Sequence, residues 1–217
     1  MEICVSAEKC GGCRYQGVEY EAQLKEKYDM VKGLVEGAGF DVVLLQDIQP
    51  CPERVRYRNR MDYTFGNEYI DGPLQLGLHE RRRFMSVIYS GNCLIVPEDF
   101  NRLLDATLEF CRGKGYDFYH RRRHEGLLRC LIVRRGVRTG QLLVNIVTSC
   151  GEFDEGGYIK KIMSTPLDNE VCGIIRTVDY GRSDAVSPDE VRTLYGVPYY
   201  MEKVLDLDFK VGAFSFF

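Results

Sequence analysis

The chain has 217 residues, 45% of them hydrophobic, which is enough to bury a core. No stretch approaches the roughly 20 apolar residues of a membrane span, and Met1 to Val5 do not begin a basic-then-apolar leader, so the sequence reads as a cytoplasmic protein with no membrane partner. Nine cysteines, odd in number and scattered through apolar stretches, argue against a disulfide framework, and a formal charge of -3 decides nothing about nucleic acid by itself.

In chain order the first feature is chemical. Cys4, Cys10 and Cys13 form a C-x5-C-G-G-C array. Gly11 and Gly12 lack the Cβ that would prevent tight folding around a bulky inorganic core. Tetrahedral thiolate sites suit zinc or iron-sulfur clusters, and three clustered cysteines with one distant partner look more like a cubane cluster than paired zinc knuckles. The plainer alternative is a set of reduced cytosolic thiols.

Tyr20, Leu24, Tyr28, Val31, Leu34 or Val35, and Ala38 recur at spacings of three and four, which predicts an amphipathic helix ending at the Gly37 and Gly39 breakers. Residues 57–66 and 74–79 read as strands joined through the turn-forming Asp71, Gly72 and Pro73, and residues 84–89 as a third strand. Pro97 opens a second helix whose Phe100, Leu103, Leu104, Leu108 and Cys111 share a face until Gly113. Residues 127–134 and 141–148 flank a turn at Gly136 to Gly140, and the second of these strands, apolar on both faces, should be central. Tyr158, Ile159, Ile162 and Met163 suggest a short third helix, and residues 171–178 another strand. Leu205, Leu207, Phe209 and Val211 alternate as a strand face. The fold class is α+β, with an antiparallel or mixed sheet, flanking helices and an N-terminal iron-sulfur loop.

Three arginine clusters punctuate these elements: Arg54, Arg56, Arg58 and Arg60; Arg81 to Arg83; and Arg121 to Arg123, followed by Arg129, Arg134, Arg135 and Arg138. Guanidinium forks match phosphate oxygens and stack on bases, so these clusters, with Tyr57, Tyr63 and Tyr119 interleaved, suit RNA. Any single cluster is as well read as a solvated face. His120 and His124 bracket three arginines whose charge opposes a cation, and they read as solvated loop histidines. No Ser/His/Asp set, paired carboxylates or glycine-rich loop after a strand stands out, so no catalytic residue is assigned. The end of the chain carries Phe214, Phe216 and Phe217, aromatics that would expose an apolar patch, which leads to the expectation of a truncated chain.

Cys4-x5-Cys10-Gly11-Gly12-Cys13, Tyr15-Gln16, Tyr20, Gln23-Leu24-x-x-Lys27, Tyr57-Arg58-Asn59-Arg60, Gly77-x-His79, Asn92-Cys93-Leu94, Gly126-Leu127-Leu128-Arg129 and Phe214-Ser215-Phe216-Phe217 together resemble the iron-sulfur class of RNA (uracil-5-)-methyltransferases, in order and over nearly the whole chain. The resemblance implies residues 1–45 as an iron-sulfur loop and helix and residues 46–217 as a central α+β domain contacting RNA, with ribosomal RNA the expected partner. It implies a four-iron four-sulfur cluster on Cys4, Cys10, Cys13 and Cys93, with Cys51 the competing fourth ligand, and RNA contacts at Arg58, Arg60, Arg129 and Phe216.

In that family the nucleophilic cysteine and the S-adenosylmethionine loop lie downstream, in a further domain that would pack on the C-terminal strand. The expectation is therefore a fragment of an S-adenosylmethionine-dependent RNA uracil C5 methyltransferase that lacks the catalytic domain and is inactive alone. S-adenosylmethionine would bind only in the missing downstream domain. A free-standing iron-sulfur or zinc nucleic-acid-binding module and an electron-transfer protein are the rival readings.

Overall fold

The computed structural model describes residues 3–182 and 188–215. Helix α1 (Tyr20–Gly37) runs where the three-four spacing predicts it and stops as Gly39 takes a φ of +80°, a conformation open to glycine. None of its residues is fully buried. A short 3-10 turn at Val42–Leu44 follows, capped by the Asp41 carboxylate on the Val43 amide.

Strand β1 (Arg60–Gly66) begins three residues later than the pattern suggests. The amides of Arg56 and Arg58 donate instead to the carbonyls of Leu94 and Ile95, so this stretch is tied to a loop rather than to the sheet. Strands β2 (Gln75–Glu80) and β3 (Arg83–Tyr89) form a hairpin. Helix α2 (Glu98–Gly113) buries the predicted face of Phe100, Leu103, Leu104, Leu108 and Cys111. Strands β4 (Leu128–Arg135) and β5 (Gln141–Thr148) form the second hairpin, helix α3 (Glu155–Met163) crosses over, and β6 (Glu170–Val178) returns. Strands β7 (Glu190–Gly196), β8 (Tyr199–Val204) and β9 (Leu207–Gly212) complete the described elements.

One seven-stranded sheet takes the order β3-β2-β1-β4-β5-β6-β7, and β8 pairs with β9 in a separate ribbon. All neighbours in the large sheet are antiparallel except β5 and β6, which run parallel because α3 carries the chain back across. The sheet is mixed, and β5 is interior as its two apolar faces require. One face packs against α2 and α3 in the main core, with Leu131, Val133, Val144, Ile146 and Ile174 meeting Leu103, Leu104 and Ile162. A smaller cluster of Leu143, Ile175, Tyr200, Val211 and Ala213 seats the β8–β9 ribbon on the other face. Within that ribbon Val211 is buried, while Leu205 and Leu207 are exposed, so only the second half of the alternating C-terminal pattern turns inward.

Buried Asp99, in the first turn of α2, locks the helices to the crossover. Its carboxylate accepts from the amides of Asp168 (2.8 Å) and Asn169 (3.0 Å) and from Asn169 Nδ2 (2.7 Å). Among the described residues no helix is long and apolar enough to cross a membrane.

Candidate nucleic-acid interface and thiol pocket

The N-terminal loop is held at the far end of β2. Gly11 N donates to His79 O (3.0 Å) and Arg81 N to Lys9 O (2.7 Å), so this loop takes the place beside β2 that β1 leaves open. A Cβ on Gly11 would stand 3.0 Å from the His79 carbonyl, which accounts for glycine at this close approach.

The attachment brings Cys4, Cys10, Cys13 and Cys93 to the wall of one small pocket, about 30 Å3, also lined by Leu78 and Ile95. Cys51 is elsewhere, exposed, with its Sγ donating to Glu53 O (3.0 Å). Burial raises the Cys13 thiol, and proximity to Cys10 and Cys4 adds to it, while Arg58 and Arg81 pull the other way. Burial likewise raises Cys93. The four thiols share a pocket, yet among the described residues no group of three or more His, Cys, Asp or Glu is arranged to hold a metal ion. This overturns the expected four-iron four-sulfur cluster. The four thiols line one pocket without the mutual spacing that a shared metal centre requires.

Of the arginines singled out for RNA, Arg58 has an exposed side chain with no ion pair among the described residues and faces Cys13. Arg60 is spent on Asp62, Nε and Nη2 donating to its carboxylate at 2.9 and 2.7 Å. Arg129 is nearly buried, 3.5 Å from Asp179 and stacked 3.9 Å over the Tyr119 ring. Phe216 lies outside the described residues.

The other two arginine clusters, some forty residues apart in sequence, meet at a second cavity of about 700 Å3. One wall is the segment after β1, folded back over β3: Val87 N donates to Asn67 O (2.9 Å) and Ser86 Oγ to Glu68 O (2.8 Å). The second is the β2–β3 turn with Arg82 and Arg83. The third is a tight turn closed by His120 N donating to Glu125 O (2.6 Å), which carries Arg121, Arg122 and Arg123 at its tip. Gly126 supports that turn: its φ is +103°, and a Cβ there would stand 2.0 Å from Phe118 O.

His120 and His124 are not simply solvated. His124 Nδ1 lies 3.0 Å from the Tyr119 hydroxyl, and the His120 ring stacks on Phe118 with its Nδ1 buried and without a hydrogen-bond partner. Sequence reasoning saw the arginines but not their convergence with Tyr69 and Phe84, two exposed aromatics of the same cavity. The turn residues Asp71 and Gly72 were the only sequence signal for that wall.

No protein-family model matches the chain. It is 39% identical to an uncharacterized RNA methyltransferase of Caldanaerobacter subterraneus, over 99% of this chain and 48% of that protein, and 36% identical to one of Clostridium tetani, over 99% and 47%. It is similar to part of each. The chain spans about half the length of the curated relatives it matches. Among solved structures, the Pyrococcus abyssi tRNA (uracil-54, C5)-methyltransferase in complex with S-adenosyl-L-homocysteine shares the fold at a TM-score of 0.74 and 23% identity, over 96% of this chain and 46% of that one.

These likenesses correct the expectation of a fragment lacking the catalytic domain, with S-adenosylmethionine confined to a missing downstream domain. Nearly the whole chain aligns within a methyltransferase solved with the demethylated donor, and the expected inactivity loses its basis. The free-standing iron-sulfur or zinc module falls with it. The thiol pocket, at about 30 Å3, is too small to hold S-adenosylmethionine.

Three other thiols, Cys111, Cys130 and Cys172, are poorly activated. Burial pushes Cys111 and Cys130 up to about 12 and Cys172 up to about 11, far from the lowered values of nucleophilic cysteines.

Proposed function

We propose that this protein methylates RNA at C5 of a uridine, with S-adenosylmethionine as donor, and that the described chain grips the RNA. The observation that carries this reading is the likeness, over 99% of the chain, to proteins named RNA methyltransferases. The choice of uridine C5 leans on the solved tRNA (uracil-54, C5)-methyltransferase of the same fold. Residues 46–217 act as the RNA-contacting body, with Arg58 as an unpaired contact, while residues 1–45 form an appendage. Backbone hydrogen bonds from Gly11 to His79 and from Arg81 to Lys9 fasten that appendage beside β2.

The test is transfer of labelled methyl from S-adenosylmethionine to transfer RNA and ribosomal RNA transcripts. Label in either supports the reading and decides between the two substrates; folded protein that labels neither refutes it.

A further inference from the structure

The larger cavity does not depend on methyl chemistry. It sets five arginines against three acids, Glu68, Asp71 and Asp117, in a chain whose overall charge is negative. Part of that positive charge is unpaired. Glu68 is taken by Lys9 at 2.8 Å, Arg83 pairs with Glu80 at 3.2 Å, and Arg123 stands 4.0 Å from Glu125. Arg82 and Arg122 have no ion pair among the described residues. They sit on two different turns, both of which line the cavity.

Arg82 holds a φ of +64°, a left-handed conformation that favours glycine. The fold therefore keeps an unpaired guanidinium at a position where glycine would relax the backbone. The same cavity is lined by exposed aromatic rings. Phe84 is 70% exposed and Tyr69 is 59% exposed. Tyr119 of the same cavity is already covered by Arg129, which leaves Phe84 and Tyr69 as the open rings. At about 700 Å3 the cavity is within the roughly 300–1,000 Å3 of ligand clefts.

Unpaired guanidinium groups on two turns of one cavity together with exposed aromatic rings suit an unpaired strand: phosphates against guanidinium groups, bases stacked on rings. A-form duplex does not suit it, because paired bases have no free face to offer. We propose that this cleft binds a short unpaired stretch of RNA, with phosphates on Arg82 and Arg122 and a base on Phe84. The identity of the polyanion as RNA rests on the function proposed above, but the binding does not require methyl transfer.

The experiment is fluorescence anisotropy of the whole chain with labelled oligouridylate and with a hairpin-free RNA duplex, across a salt series, beside a methyl-transfer assay on the same samples. Arg82→Glu/Arg122→Glu should weaken oligouridylate binding at least tenfold and flatten the log-log salt slope by about 1.4, the value for two phosphate contacts on a single strand. Phe84→Ala should cost roughly 5- to 150-fold, as loss of one stacked base does. Arg82→Gly, which suits the left-handed backbone, should keep the melting temperature and still lose affinity. The control Lys32→Glu/Lys203→Glu makes the same change in net charge on the opposite kind of surface, exposed lysines outside the cleft.

Equal loss in that control, or equal affinity for duplex with Phe84→Ala silent, would reduce the cleft to general electrostatics and overturn the proposal. Methyl transfer that persists while the cleft variants bind RNA like the native chain would also overturn it and leave the function standing. Cleft variants that lose oligouridylate in a protein that transfers no methyl would uphold the cleft and sink the function.

Discussion

Replacing Asp99 by alanine should loosen the joint between α2 and the α3–β6 connection. The carboxylate is 1% exposed and accepts three hydrogen bonds, two from the Asp168 and Asn169 backbone and one from the Asn169 side chain. Hydrogen bonds to a charged group are worth about 1.5–3 kcal/mol each, and donors left buried without a partner cost about 1–3 kcal/mol. Relief of the desolvated carboxylate offsets part of this. A net loss of about 3 kcal/mol follows, or roughly 6–12 °C in melting temperature for a chain of this size. Asp99→Asn keeps one acceptor oxygen and should lose about half as much. Urea unfolding followed by circular dichroism measures both, with the slope m expected to stay constant. An alanine variant within about 1 kcal/mol of the native chain would show that the joint holds without this carboxylate.

Two further outcomes are expected. Gly126→Ala combines a φ of +103° with a Cβ 2.0 Å from Phe118 O, so the arginine-bearing turn must shift. Its stability should fall by at least about 2 kcal/mol, and oligouridylate affinity should fall with it, read by urea unfolding and anisotropy. The Cys111 thiol, pushed up to about 12 by burial from an ordinary 9.0, favours the folded state below pH 9 and loses that contribution as pH rises toward 12, because the unfolded chain releases the proton first. Unfolding free energy measured at pH 8, 9 and 10 should therefore decline, and Cys111→Ala should remove up to about 1.4 kcal/mol per pH unit of the slope above pH 9.

What the sequence discloses follows from how each element is buried. β5 is apolar on both faces and is interior; α2 carries its apolar face at helical spacing and buries all of it. β7 escapes because it is the sheet's outer strand, mostly exposed, so its side chains carry no alternation. Residues 57–59 look like strand by composition, but the loop at Leu94 and Ile95 takes the neighbouring amides.

The site divides in the same way. Cys4, Cys10, Cys13 and Cys93 are named by sequence motif, and the structure gathers them, without the arrangement a metal ion requires. The arginine clusters are visible as runs. Their meeting at one cleft depends on a loop folding back over β3 and on a turn closed by backbone hydrogen bonds that join His120 to Arg123, His124 and Glu125, neither of which leaves a periodic trace.

The most direct measurement of the central claim is nucleoside mass spectrometry of RNA incubated with the protein and S-adenosylmethionine carrying a deuterated methyl group. The account predicts deuterated 5-methyluridine, diminished when Arg82 and Arg122 are both reversed. Folded protein that binds the RNA but yields no deuterated nucleoside, or one methylated at a base other than uridine, would contradict it.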